Sequence, residues 1–178
     1  MIIVWFNGPS RQKLMNQFPL QQNEIGCNYI RRDRAVKHVC VFDRQIWPNI
    51  KFETDINYYT HHVWAFWPWQ TVHYDFAEAL NSGMLALSVA CKLTENKDDT
   101  IYVIGCDWGL NQESVYNYNR YSLQRKYSNI TKKAVDNMCA GTGNLRHPRK
   151  IIFVHDAKPD VRQPLMPTDQ FLDLILNK

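Results

Sequence analysis

Several things are missing from this 178-residue chain, and each absence argues against a class of function. No block of Lys and Arg breaks the sequence. The net charge of +4 is mild, so nucleic acid is not an expected partner. The densest basic stretch, Arg31-Arg32-Asp33-Arg34, reads as a solvated face. No apolar run approaches membrane-spanning length, so no membrane span is expected. The opening run is also too short, and lacks the basic flank, for a signal peptide. The five cysteines, at 27, 40, 91, 106 and 139, show no CxxC spacing. Cys40 and Cys106 sit inside apolar runs, where a thiol behaves as a small hydrophobe, and a reduced, cytoplasmic protein is the expectation. No Ser-His-Asp or Cys-His nucleophile order stands out, which argues against covalent hydrolysis. His61, His62 and His73 have no acid or Cys at ligand spacing, and adjacent histidines on a strand face opposite ways, so packing is expected there rather than metal.

What is present is a substantial core. Apolar residues make up 45% of the chain, and no repeat, linker or low-complexity segment divides it, so residues 1–178 read as a single domain. Met1 to Phe6 is an apolar run stopped by Asn7-Gly8-Pro9-Ser10, the pattern of a buried strand entering a tight turn. Arg11 to Phe18 then reads as a helix, with Leu14 and Phe18 on one face and Ser10 at the N-cap. Strand, turn and helix start present backbone N–H groups to a phosphate or carboxylate. Gly8 permits close approach, and Pro9 stiffens the turn. An ordinary βα connection with no ligand has the same sequence signature.

Further strands are predicted at Glu24–Ile30, Lys37–Arg44, Val63–Trp67, Thr100–Asp107 and, last in the chain, Lys150–His155. The strongest helix pattern is Asp75–Leu93, and Gly83 allows it to begin only at Asn81-Ser82. Its second half is apolar nearly all round and should be deeply buried. A helix is also expected over Ser128–Met138, and another from Thr168, as cap, through Leu176. Strands alternating with helices imply an α/β fold, a mostly parallel sheet with helices on both faces. In such sheets ligands gather at the carboxyl ends of the strands. Asn7-Gly8-Pro9-Ser10, Asn28, Asp43-Arg44 and Asp107-Trp108 all fall there.

Three pieces in one order carry a resemblance: Asn7-Gly8-Pro9-Ser10, then Gly26-Cys27-Asn28, then Ser82-Gly83-Met84 leading to Ile101-Tyr102-Val103-Ile104-Gly105-Cys106-Asp107. Over about residues 1–108 the chain resembles the Rossmann-like nucleotide-binding fold shared by small bacterial sialyltransferases and 6-hydroxymethylpterin pyrophosphokinase-like (DUF115) proteins. The resemblance implies that Asn7, Gly8 and Asn28 line a nucleotide pocket. It further implies that Ser82 and Gly83 meet nucleotide or donor and that Asp107 stands at the rim. Asp43-Arg44 is similar to an Asp-Arg pair of the pyrophosphokinase-like branch, whose acid fits a metal, Mg²⁺ among them, or a ribose. The sialyltransferase pattern makes His147 the base, with His155 in reserve, and gives the tyrosines at 116, 118 and 121 a phosphate to bond. Two departures stand out. Phe6 replaces the Gly that opens the family's first turn, and the chain leaves little room for an acceptor-binding lid.

The expected ligand is therefore a nucleotide or nucleotide-sugar donor, and the expected activity is group transfer, glycosyl before diphosphoryl. A non-catalytic nucleotide-binding module, and a partner-binding protein using the aromatic stretch Tyr58 to Trp69, are the competing readings. Donor, acceptor and oligomeric state stay open.

Overall fold

Among the residues that the computed structural model describes, eight short strands, all parallel, form one sheet. The structure describes residues 1–43, 46–61, 71–74, 81–94, 99–106, 150–157 and 163–177. In chain order the strands are β1 (Ile2–Trp5), β2 (Glu24–Cys27), β3 (His38–Cys40), β4 (Asn57–His61), β5 (Thr71–Tyr74), β6 (Thr100–Ile104), β7 (Lys150–Val154) and β8 (Leu165–Met166). Two α-helices are described, α1 (Ser82–Leu93) and α2 (Thr168–Leu176). The spatial order is β5-β4-β3-β2-β1-β6-β7-β8. Strands one to five step outward on one side of β1, and β6 returns to its other edge. The order therefore reverses between β1 and β6.

The expected α/β class with a parallel sheet is what the chain forms. Alternation along β1 explains its coverage. Ile2, Val4 and Phe6 point to one face and join a core with Met84, Leu85, Leu87, Val89 and Cys91 of α1. Ile3 and Trp5 point to the other face and join Leu14, Phe18, Ile30, Trp47 and, from α2, Phe171 and Ile175. A strand covered this way reads as the unbroken apolar run seen in the sequence. α1 is buried continuously from Ser82 to Cys91, as its all-round apolar second half predicts.

The local expectations need several corrections. The chain after β1 makes a five-residue 3₁₀ helix, Pro9–Lys13, and not an α-helix over Arg11–Phe18. Gly8 holds its cap position, and Ser10 lies inside the turn without capping it. Leu14 and Phe18 still reach the core, so burial was read correctly from a period that the backbone does not keep. β4 and β5 were not foreseen at their positions, while the strand expected at Val63–Trp67 and the helix at Ser128–Met138 lie outside the described residues. β8 follows the strand taken as last.

The Arg31–Arg34 stretch is a solvated face only in part, at Arg32 and Asp33. Arg34 is buried, its guanidinium Nε bonding Glu24 Oε2 and its Nη2 bonding Glu24 Oε1 at 2.6 Å. Trp5 Nε1 donates to the same carboxylate at 2.7 Å. Arg31 makes a two-pronged bond to Glu53, and Asp33 pairs with Arg11. A buried carboxylate is tolerated only when donors surround it in this way.

Thr168 occupies the first turn of α2 rather than its cap, and Pro167 holds the cap position. The acceptor that a cap would supply comes from Asp156, whose Oδ1 takes the Thr168 N–H at 2.9 Å. Lys13 bonds the other oxygen at 2.6 Å. These partners, Lys13 first, hold the Asp156 carboxyl down at about 2. A carboxyl depressed on folding contributes stability that is complete above its ordinary value of 3.8 and is lost as pH falls toward 2. The amide of Thr168 should therefore lose hydrogen-exchange protection across that window. Asp156→Asn should remove the pH dependence, and protection that is flat from pH 5 to 2 in the wild type would show that Asp156 does not hold the helix start.

Candidate functional site

The polar groups of the described residues that the sequence singled out meet at the carboxyl end of the sheet. Asn7 and Gly8 follow β1, Asn28 follows β2, and Asp43 follows β3. The start of α1 stands at the same end, because the chain enters it from the carboxyl side of β5. Asn81 caps α1, its Oδ1 accepting the Met84 N–H at 3.0 Å. The cap is thus one residue earlier than Ser82, and this frees the Ser82 hydroxyl for another task.

Ser82 Oγ accepts the backbone N–H of Phe42 at 2.9 Å and donates to Asn28 Oδ1 at 2.7 Å. Its carbonyl accepts the Cys27 thiol at 3.2 Å. One buried residue thereby joins the ends of β2 and β3 to the start of α1. Asn28 adopts a left-handed backbone, φ 53°, with its N–H bonded to Cys40 O at 2.9 Å. Asn is among the few side chains that tolerate this conformation. Burial pushes the Cys27 thiol up to about 12, against an opposing influence from Arg11, and burial also raises Cys40 well above its usual range. These thiols are packing groups rather than nucleophiles.

At β1 the loop is tied to its neighbour on the other side. Phe6 N–H bonds Ile104 O at 2.7 Å and Gly8 N–H bonds Gly105 O at 2.8 Å, extending the β1–β6 pairing into the turn. Gly105 has φ 79°, and a Cβ there would stand 2.8 Å from Phe6 O, so glycine is required on two counts. Phe6, where the resembled family has Gly, turns its ring onto the start of α1. A Cβ on Gly83 would lie 2.6 Å from that ring. The large residue in the turn and the missing side chain on the helix fit each other.

Sequence reasoning missed Arg11 and Asp33. Arg11 is fully buried, and its Nη1 bonds both Phe6 O at 3.0 Å and Asn7 Oδ1 at 3.2 Å. Its Nη2 bonds Asp33 Oδ2 at 2.9 Å. No spacing rule flagged the pair, since a lone Arg after a Pro-Ser turn looks solvated and Asp33 sat inside a basic run. Ser10 and Asp43 are half-buried near this end. Pro9 opens the 3₁₀ turn. Arg44, Asp107, Trp108 and His147 lie outside the described residues, as do Tyr116, Tyr118 and Tyr121.

His155 follows β7 and is buried, with Nδ1 accepting the Ala157 N–H at 3.0 Å. That bond places the proton of the neutral ring on Nε2. Among the described residues no three His, Cys, Asp or Glu side chains group to hold a metal ion. No helix among them is long and apolar enough to cross a membrane. Comparison with protein-family models, with curated proteins and with solved structures finds no match for this chain.

The Phe6–Gly83 contact yields a direct test. Gly83→Ala should cost about 1–3 kcal/mol in urea unfolding, because a buried ring must move. In a Phe6→Ala background the same change should become neutral or favourable, helped by alanine's better helix propensity. A neutral Gly83→Ala in the wild-type background would show that the helix start does not press on Phe6.

Proposed function

We propose that this chain binds a nucleotide or nucleotide-sugar at the carboxyl ends of β1, β2 and β3 and transfers a group from it, glycosyl before diphosphoryl. The observation that carries the reading is the hydroxyl of Ser82, which joins Asn28 and Phe42 across 54 and 40 residues of sequence. It does so at the end of a parallel sheet where ligands gather, beside the point where strand order reverses. The reading includes a Rossmann-like fold with helices on both faces, supported by α1 in one apolar core and Phe171 and Ile175 of α2 in the other. It also includes kinship with the small sialyltransferases and pterin pyrophosphokinase-like proteins, supported by Asn7, Asn28 and Ser82 arriving together. Asp43 beyond β3 suits the diphosphoryl alternative, where an acid would meet Mg²⁺ or ribose.

A specific observation favours the second reading, a non-catalytic nucleotide-binding module. Transfer to a hydroxyl needs a base, and His155 already spends its Nδ1 lone pair on Ala157. The catalytic reading then rests on His147.

A melting screen against nucleotides and nucleotide-sugars, with and without Mg²⁺, tests the binding. A ligand at 100 times its dissociation constant should stabilise the fold by about 2.7 kcal/mol, a rise of roughly 5–10 °C at this chain length. No shift at millimolar ligand would end the nucleotide reading. With a ligand in hand, His147→Ala should keep affinity while turnover falls by roughly 10² or more. Tight binding without turnover in the wild type would leave the module.

A further inference from the structure

Asn7-Gly8 is the one Asn-Gly step in the chain, and it lies in the turn that follows β1. An asparagine in that position can react with its own main chain. The Gly8 nitrogen attacks Asn7 Cγ, and with no Cβ on Gly8 nothing screens the approach. The N–Cγ bond forms, the Cγ–Nδ2 bond breaks, and ammonia leaves carrying the former amide proton. Water then opens the cyclic succinimide at either carbonyl, which leaves aspartate or isoaspartate at this position. The reaction needs only water and hydroxide.

The fold restrains both reacting groups. Gly8 is buried, and its N–H bonds Gly105 O at 2.8 Å, so the proton that must leave is engaged and shielded. Gly8 itself is extended, φ −72° and ψ 149°, the conformation that the following Pro9 favours. Asn7 Oδ1 accepts a bond from Arg11 Nη1 at 3.2 Å, and Arg11 is fully buried. The guanidinium is fixed in turn by Phe6 O at 3.0 Å and Asp33 Oδ2 at 2.9 Å. The nitrogen is thus pinned to the end of β6 while the carboxamide is pinned to the 3₁₀ turn. Asn7 is only half-buried, so solvent meets part of it.

We propose that Asn7-Gly8 is a self-modification site gated by the Gly8–Gly105 hydrogen bond, and that it cyclises only in molecules where β1 and β6 have parted there. The inference goes beyond the nucleotide reading and does not depend on it. The two products act differently on the turn. Aspartate keeps the main chain and sets a second carboxylate on Arg11, beside that of Asp33. Isoaspartate lengthens the main chain by one carbon ahead of Gly8, which takes the Gly8 amide out of register with Gly105 O. The lost ammonia is not recovered, so the turn keeps a record of the time it has spent open.

The test ages the full chain at mildly alkaline pH, native and in guanidinium chloride, and follows the mass gain of the Asn7 peptide as OH replaces NH₂. Hydrogen exchange of the Gly8 amide is measured on the native chain under the same conditions. Hydroxide drives both reactions at the same nitrogen, so the pH dependence cancels between them. Native deamidation should run slower than denatured by roughly 10² or more, and by the same factor that protects the Gly8 amide. Asn7→Gln, whose longer side chain closes a ring poorly, should remove the mass gain in both states. The isoaspartate fraction, separated by ion exchange, should have lost protection at Gly8. Native deamidation at the denatured rate, or slowed by a factor unlike the Gly8 protection, overturns the gate. A mass gain that survives Asn7→Gln lies elsewhere in the peptide and overturns the site.

Discussion

A four-residue strand, bonded along both edges and covered on both faces, is the constraint from which the rest of this structure follows. β1 pairs with β2 on one side and β6 on the other, and all four of its residues are buried. With no edge or face left for water, its side chains must be apolar, and each adjoining element must bring a matching surface. α1 meets Ile2, Val4 and Phe6, while the 3₁₀ turns and α2 meet Ile3 and Trp5. The carboxylate of Glu24 on β2, buried under that second surface, is admitted because Trp5, Gln21 and Arg34 all donate to it. Removing one donor would leave a buried carboxylate short of a partner, which is far costlier than the pair's net contribution.

The same constraint pushes polar chemistry to the strand ends. Burying a polar group inside the sheet is costly, and Asn7, Asn28, Asp43 and Ser82 collect where the ladder stops. Their convergence is the basis of the nucleotide reading, and its strength comes from the distance in sequence between the groups that meet. The turn after β1 is tied to Ile104 and Gly105 by the amides of Phe6 and Gly8.

Much of the fold was legible because its central strands are long apolar runs. β1, β6 and β7 announce themselves, and so does the all-round apolar α1. The 3₁₀ turn after β1 was read as an α-helix because Leu14 and Phe18 keep a helical spacing that a looser backbone also satisfies. β4, Asn57–His61, hid behind polar and aromatic residues, and its neighbour Thr71–Tyr74 is too short to carry a pattern. Arg34 was misjudged because its partner, Glu24, is ten residues back and looks equally solvated. The candidate site was partly legible: Asn7, Asn28 and Ser82 stood out as polar residues at turns. Arg11 did not, since only the folded chain shows that a cation beside a Pro-Ser turn is wholly enclosed.

The placement of β1 also shapes how this chain reaches its native state. Its pairing with β2 joins residues about twenty apart, but Ile2 pairs with Ile101, about a hundred residues along the chain. Closing so long a loop carries an entropic cost that is repaid only once α1 and β6 have arrived. Until then one edge of the most apolar strand stands open, with unpaired amides beside Ile, Val and Trp. Such an edge is a template for another chain, so the step that completes the sheet's centre is also the step that removes the hazard of self-association during folding.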